Sequence, residues 1–423
     1  MTKERLISLD VFRGFTIILM TIVNNPGSWS HIYPPLEHAE WNGCTPTDLV
    51  FPFFVFIMGT AIPFAMPNKQ FDFAVFNKIV VRSLRIFCLG LFLNYFDKIT
   101  FFGSEGIPLL MVRLTITGIV GVALLGNFSQ KVKTYLVFGI LAILFFLAYS
   151  PIEAFQDVRI PGVLQRIGIV YFFTSLLFLK TTIKSQIGIA ASLLLFYWFL
   201  MACIPVPGFG EANFGKGTNL AGWLDNLVLN GHLWSSSKTW DPEGILSTIP
   251  AIATGILGMI IGQGLNSQST KVEITKKLSV IGISLLALSL IWNLVFPINK
   301  SLWTSSYVLF TAGLAILILT LLYYLIEIAN YKKWTKMFLI WGVNPMIVFF
   351  LSGILPSTWG MIEIQNPKVV SGKINIRDYF YDFYITPVFT NPLNASLAFA
   401  LLYVVFWTFI LCFFYKKKLF FKV

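Results

Sequence analysis

Apolar stretches about 20 residues long recur through this 423-residue sequence, separated by polar segments. A helix needs roughly that many residues to cross about 30 Å of hydrocarbon, where a backbone can satisfy its own N–H and C=O groups only as a helix or a closed barrel. Barrel strands would instead alternate apolar and polar residues over about 10 positions. The pattern predicts an all-α, polytopic transmembrane helical bundle forming a single domain over residues 1–423. About twelve spans are expected, near residues 6–25, 47–66, 80–97, 109–127, 132–150, 163–180, 185–204, 244–263, 278–297, 302–327, 335–354 and 392–414. Hydrophobic residues make up 56% of the chain and charged ones 12%, so there is too little polar surface to coat a water-soluble core. Arg5, Asp10 and Arg13 interrupt the place where the apolar core of a signal peptide should run, so the first span is expected to stay in the mature protein.

A net charge of +12 raises the question of nucleic acid, but the basic residues sit in short loops on alternate sides of the spans. Lys69, Lys78, Arg82 and Arg85, then Lys131 and Lys133, Lys180 and Lys184, Lys271, Lys276 and Lys277, and Lys332, Lys333 and Lys336 fall on one side with both basic termini. The positive-inside rule makes that side cytoplasmic, so both termini are expected there, and the charge encodes orientation in a lipid bilayer with no nucleic-acid partner. The longest segments, 26–46, 205–243 and 355–391, fall on the opposite face. Loops of that length are uncommon unless they carry function, so a pocket is expected there.

His38 is one of three histidines and follows the first span, which makes it a candidate for proton transfer, or else a loop anchor. Asp10 and Arg13 share a helix face at i,i+3; they form either a neutralised pair that locks helices or a site where Arg13 meets a phosphate-bearing ligand while Asp10 holds it. Asn24 stands where Pro26 stops the first helix, as a cap or as a donor to a substrate carbonyl. Thr45 reads as the N-cap of the second span with Pro46 at its first position, and the helix dipole accounts for Asp48 in its first turn. Gln165 and Arg166 open the sixth span. Asp241 and Glu243 precede the eighth, as dipole-compensating acids or as binders of an amino group. Asn299 and Lys300 add an amide and an amine, while Gly342, Asn344 and Pro345 mark a broken helix. Cys44, Cys88, Cys203 and Cys412 are scattered, and no HExxH, P-loop, GxSxG or metal-ligand spacing occurs, so no metal is expected.

Five ordered motifs, SLDVFRG (8–14), HAEWNGCTPTDLVFPFFVFIMG (38–59), RIPGVLQRIG (159–168), DPEGILSTI (241–249) and NKSLWTSSY (299–307), resemble the heparan-alpha-glucosaminide N-acetyltransferase family of transmembrane acyltransferases. The resemblance covers most of the chain. It implies transfer of acetyl from cytosolic acetyl-CoA to the amino group of a glucosamine-type sugar across the membrane, with the family's catalytic histidine falling on His38 and its active-site asparagine on Asn24. On this reading Arg13, Asp10, Gln165, Arg166 and Asn344 are expected to hold the donor. Trp41, Asn42, Asp48, Asp241, Glu243, Asn299 and Lys300 are expected to hold the acceptor. Compared with the lysosomal member, the chain is expected to be without a counterpart of the amino-terminal luminal domain and to have an added helical pair near 109–150. The first departure implies a homologue in a bacterial cytoplasmic (inner) membrane, and both point from heparan to a small free or oligomeric amino sugar as acceptor, with a homodimer left open. Two other readings remain: a secondary transporter of sugars or muropeptides, whose two matched halves are not visible, and an O-acyltransferase of a surface glycan, whose first span carries a similar Leu-Asp-x-x-Arg-Gly stretch.

Overall fold

The computed structural model describes residues 6–367 and 372–420. The basic residues of Met1–Arg5 and Lys422 and the middle of the 355–391 segment therefore lie outside the described residues. The helices are α1 (Ile7–Val23), α2 (Val50–Ala65), α3 (Phe73–Phe96), α4 (Gly106–Leu125), α5 (Gln130–Ala148), α6 (Val163–Lys180), α7 (Ile183–Cys203), α8 (Leu220–Leu229), α9 (Thr248–Leu265), α10 (Lys271–Trp292), α11 (Ser305–Tyr323), α12 (Thr335–Gly342), α13 (Pro345–Gly360), α14 (Ile376–Phe380) and α15 (Pro392–Lys416). Many begin where a short polar side chain accepts an otherwise orphaned N–H: Asp72, Ser129, Thr182, Asn219, Thr270, Thr304 and Asn391 each cap the helix that follows.

Ten helices among the described residues are long and apolar enough to cross a membrane, and α12 with α13 makes an eleventh if that pair, bent by 77°, is one span. The shortfall from twelve lies at α1, whose 17 residues rise only about 25 Å. The bend follows from Pro345, which cannot donate to the preceding turn, so α12 stops and α13 starts afresh from Asn344. A small antiparallel hairpin, β1 (Glu363–Gln365) with β2 (Lys373–Asn375), occupies what the sequence presented as loop.

α2 and α9 run side by side at the centre. A Cβ built on Gly258 would lie 2.1 Å from the Phe56 carbonyl oxygen, and one on Gly262 2.3 Å from that of Thr60. Only glycine lets the two backbones approach so closely, and in lipid such packing is a principal source of helix association. Phe56, Val55, Ile256 and Met259 fill the surrounding core. Two-thirds of the most apolar window of α2 is buried (67%) against 17% for α5. The outer helices α4, α5, α7, α10 and α15 thus present apolar side chains to lipid, while α2, α3, α6, α9 and α11 carry the interior.

Candidate active site

The segment between α1 and α2 folds back on the start of α2. Thr45 and Asp48 form a capping box: the Thr45 N–H donates to Asp48 Oδ2 at 3.0 Å. The Ala39 N–H reaches the same oxygen at 3.0 Å. Asp48 Oδ1 is left for His38, whose Nδ1 lies 2.6 Å away. The helix-start role read from the sequence is therefore half of what Asp48 does. Its side chain is 1% exposed and that of His38 is 55% exposed, an arrangement in which a buried carboxylate orients a histidine that solvent and ligands can reach. Tyr307, from α11, donates to the Asp48 carbonyl at 2.6 Å and ties this turn to the core.

Lys300 closes the third side. Its Nζ lies 3.0 Å from His38 Nδ1, 3.1 Å from Nε2 and 3.6 Å from Asp48 Oδ1. Burial pushes the Lys300 ammonium down, against the pull of Asp48 and Glu243. Burial also pushes the neighbouring Cys44 thiol up to about 12, which disfavours its thiolate. The Lys300 loop is docked on the His38 loop by the Gly43 N–H to the Ile298 carbonyl (2.7 Å) and by the Asn299 amide to Asn42 (3.2 Å). Trp303 follows with φ of +52° while almost fully buried, a conformation that non-glycine residues adopt at a cost and that clusters at functional sites. Trp41 donates to the Phe214 carbonyl at 2.8 Å and packs edge-on to Trp240, 5.3 Å between centroids.

Asp241 and Glu243 were expected to meet an amino group; the structure gives both carboxylates to Arg159. Its Nε and Nη2 lie 2.8 and 2.6 Å from Asp241, and Nη2 also bonds Glu243. Burial opposes the charge on Glu243, but Arg159, Arg166 and Lys300 outweigh it and hold its carboxyl below the usual range, while burial raises Asp241. Arg159 was quoted in the 159–168 motif, yet an arginine written before Ile-Pro-Gly carries no local sign of partners 82 and 84 positions away. Asp225, on the short α8, accepts the N–H groups of Ile245 (2.8 Å) and Asp241 (3.2 Å), and burial lifts its carboxyl to about 7.

The five residues expected to hold the donor do not converge. Gln165 bonds the Ile160 carbonyl at 3.0 Å; Arg166 reaches the Gly244 carbonyl at 3.1 Å and Ser247 at 2.5 Å and lies 5.0 Å from the Trp303 ring centre. Both belong to the His38 end of the bundle. Arg13 and Asp10 pair at 2.9 Å as their spacing implied. Close by, the Ser8 N–H bonds Glu327, beyond the C-terminus of α11, whereas Lys300 precedes its N-terminus. The 19 residues of α11 place the two groups roughly 28 Å apart. Asn344 stays with Asp10 and Arg13: Arg13 reaches the Gly342 carbonyl at 3.4 Å, and the Asn344 amide bonds that of Leu419 at 3.1 Å. The reason is topological, since α6 and α1 enter the bundle from opposite ends.

Asn24 ends α1 and lines a cavity of about 460 Å³ between α1, α3, α13 and α15. Trp29, Trp359, Asn375, Arg377 and Asp378 share that lining; His38 does not. Arg377 holds the Pro26 and Gly27 carbonyls at 3.0 and 3.2 Å. Nothing in the sequence singled out Arg377, because its carbonyl partners lie 350 and 351 positions earlier, or Asp378, whose partners Asn375 and Arg377 are its own near neighbours.

With this geometry in view, the comparisons with known proteins are specific. A family described as a domain of unknown function (DUF5009) matches residues 5–206. Heparan-alpha-glucosaminide N-acetyltransferase of Homo sapiens is 29% identical over 361 residues, covering 72% of this chain and 46% of the relative. The protein of the same name from Mus musculus is 28% identical over 365 residues, 73% and 47% of the two chains. The chain is a distant homologue of heparan-alpha-glucosaminide N-acetyltransferase. It spans about half the length of these curated relatives.

Proposed function

We propose that this chain is a transmembrane N-acetyltransferase that moves acetyl from cytoplasmic acetyl-CoA to the amino group of a glucosamine-type sugar on the far side of a bacterial cytoplasmic membrane. The observation that carries the reading is the His38–Asp48 pair: an accessible imidazole fixed by a buried carboxylate, in a distant homologue of an N-acetyltransferase. With Nδ1–H donated to Asp48, Nε2 is the ring's acceptor. The attacking amine loses its proton to Nε2 as its nitrogen bonds to the thioester carbonyl carbon; the C–S bond then breaks and the coenzyme A thiolate leaves. Lys300, with Nζ 3.1 Å from Nε2, adds positive charge beside the ring and so disfavours its protonation before the amine arrives.

The cavity that Asn24 lines follows α13 from Phe349 to Gly360, roughly 16 Å along the helix. We assign it to the acetyl-bearing arm of the donor, with the Asn24 amide hydrogen-bonding the thioester carbonyl. Arg13, beside the break between α12 and α13, stands roughly 16 Å along α1 from Asn24, toward the end where the coenzyme's phosphates enter. In this reading α1 completes twelve spans and places both termini in the cytoplasm, in accord with the basic loops.

The test is direct. Purified protein in proteoliposomes, given acetyl-CoA labelled in its acetyl group and glucosamine, is expected to yield labelled N-acetylglucosamine. Uptake of sugar with no acetylated product would support the transporter reading, for which the bent α12–α13 pair is the one structural argument.

A further inference from the structure

The helical run from Ile376 to Val388, made of α14, a π turn (Tyr381–Ile385) and a 3-10 turn (Thr386–Val388), has an apolar stripe that the described residues leave largely exposed. Ile376, Phe380, Tyr384 and Val388 recur every four residues and all are exposed, Val388 at 73%. That spacing lines them along one side of a helix. Phe380 and Tyr384 stack on each other, 5.9 Å between centroids. The neighbouring face is the packed one. The Tyr381 ring sits edge-on to Phe399 at 5.8 Å, Ile385 is buried in the cluster of Ala395 and Phe399, and Arg377 grips the turn after α1. Asp378 and Asp382 mark the polar side, the first of them on the cavity wall.

We propose that this stripe lies in the membrane interface, so that residues 376–388 form a monotopic amphipathic helix seated in lipid at the mouth of the cavity. Two observations choose lipid as the occupant. First, the run leads after a three-residue turn into α15, a candidate span, and packs on its first turns, which fixes it at the end of a membrane-crossing helix. Second, α15 itself leaves Leu401, Leu402, Val405 and Phe409 exposed, an apolar surface that only lipid can cover if α15 crosses the bilayer. Aromatic residues such as Phe380 and Tyr384 suit the headgroup level, where an apolar ring meets a wet rim. The consequence is mechanical. Arg377 and Asp378 belong to this helix and to the cavity wall, so the bilayer holds part of the cavity in place. The inference stands apart from the acetyltransferase reading.

Spin-label accessibility tests it. Tyr384→Cys, Val388→Cys and Asp382→Cys are made in full-length protein with Cys44, Cys203 and Cys412 replaced by serine; Cys88 is buried. Each is labelled with a nitroxide and placed in phosphatidylethanolamine/phosphatidylglycerol liposomes. The ratio of collisions with oxygen to collisions with a water-soluble nickel chelate is expected to be several-fold higher at positions 384 and 388 than at 382. Ratios at 384 and 388 equal to that at 382 would place the stripe in water and overturn the proposal. Labels at 384 and 388 immobile and shielded from both reagents would show another protein surface, such as a second copy of the chain, and overturn it as well.

Discussion

Asp48 shows what a single residue's sequence context reveals and what it hides. Thr45, Pro46 and the acid three positions after the cap spell a helix start, and the capping box is there. Neither that pattern nor the expectation that Asp48 meets the acceptor points to His38 as the partner of its second oxygen, although His38 lies only ten positions earlier. A carboxylate has two oxygens and about four acceptor sites, and a helix cap uses only part of them. Asn24 makes the opposite case: the sequence marks it as the end of a helix, and the structure puts it on the wall of a cavity whose lining does not include His38. If its amide stabilises the thioester oxyanion, Asn24→Ala lowers kcat by about 10²–10³ with little change in acetyl-CoA binding, as steady-state acetyl transfer and equilibrium binding will show. A drop in donor affinity at unchanged kcat would reduce it to a binding residue.

Among the elements, the spans were legible because apolar length is a local property. The break at 342–345 was legible too, since proline forbids the continuous helix. What stayed hidden were partnerships across elements. Arg159 is the clearest: it holds two acids from the segment before α9, and the trio is mostly buried. Removing one member of a buried ion group leaves the others uncompensated, at about 3–5 kcal/mol. Arg159→Ala is therefore expected to lower the thermal unfolding temperature in detergent markedly, while Lys277→Ala, whose partner Glu273 is on the surface, leaves it nearly unchanged. Asp225 adds a pH dependence. Its carboxyl titrates near 7 in the folded chain and near 4 when unfolded, so the unfolded state releases its proton first as pH rises. Its contribution to stability therefore declines from about pH 4 to about pH 7 and then levels off. Across that range the unfolding temperature of the wild type should fall relative to that of Asp225→Asn; parallel curves would count against the raised value.

At the scale of the whole molecule, the ends of the bundle differ. One gathers His38, Asp48, Lys300 and the Arg159 trio; the other holds the Asp10–Arg13 pair beside the bend. The basic loops are the ground for the proposed orientation, whereas the convergence of residues from positions 38, 159, 243 and 300 depends on chain topology that no local pattern encodes. Cysteines placed at Ser235 or Glu211, in protein with Cys203 replaced, are expected to react with an impermeant thiol reagent from outside intact cells, and one at Ser267 is not. All three positions are exposed in the structure, so burial would not mask the result, and labelling of Ser267 from outside would reverse the orientation. The central claim is that the histidine held by Asp48 performs the transfer, and the most direct test is the acetyl-transfer rate of His38→Ala in proteoliposomes, beside its affinity for acetyl-CoA. The account predicts a loss of about 10²-fold or more in turnover with donor binding and folding retained, whereas turnover close to wild type in a folded His38→Ala protein would contradict it.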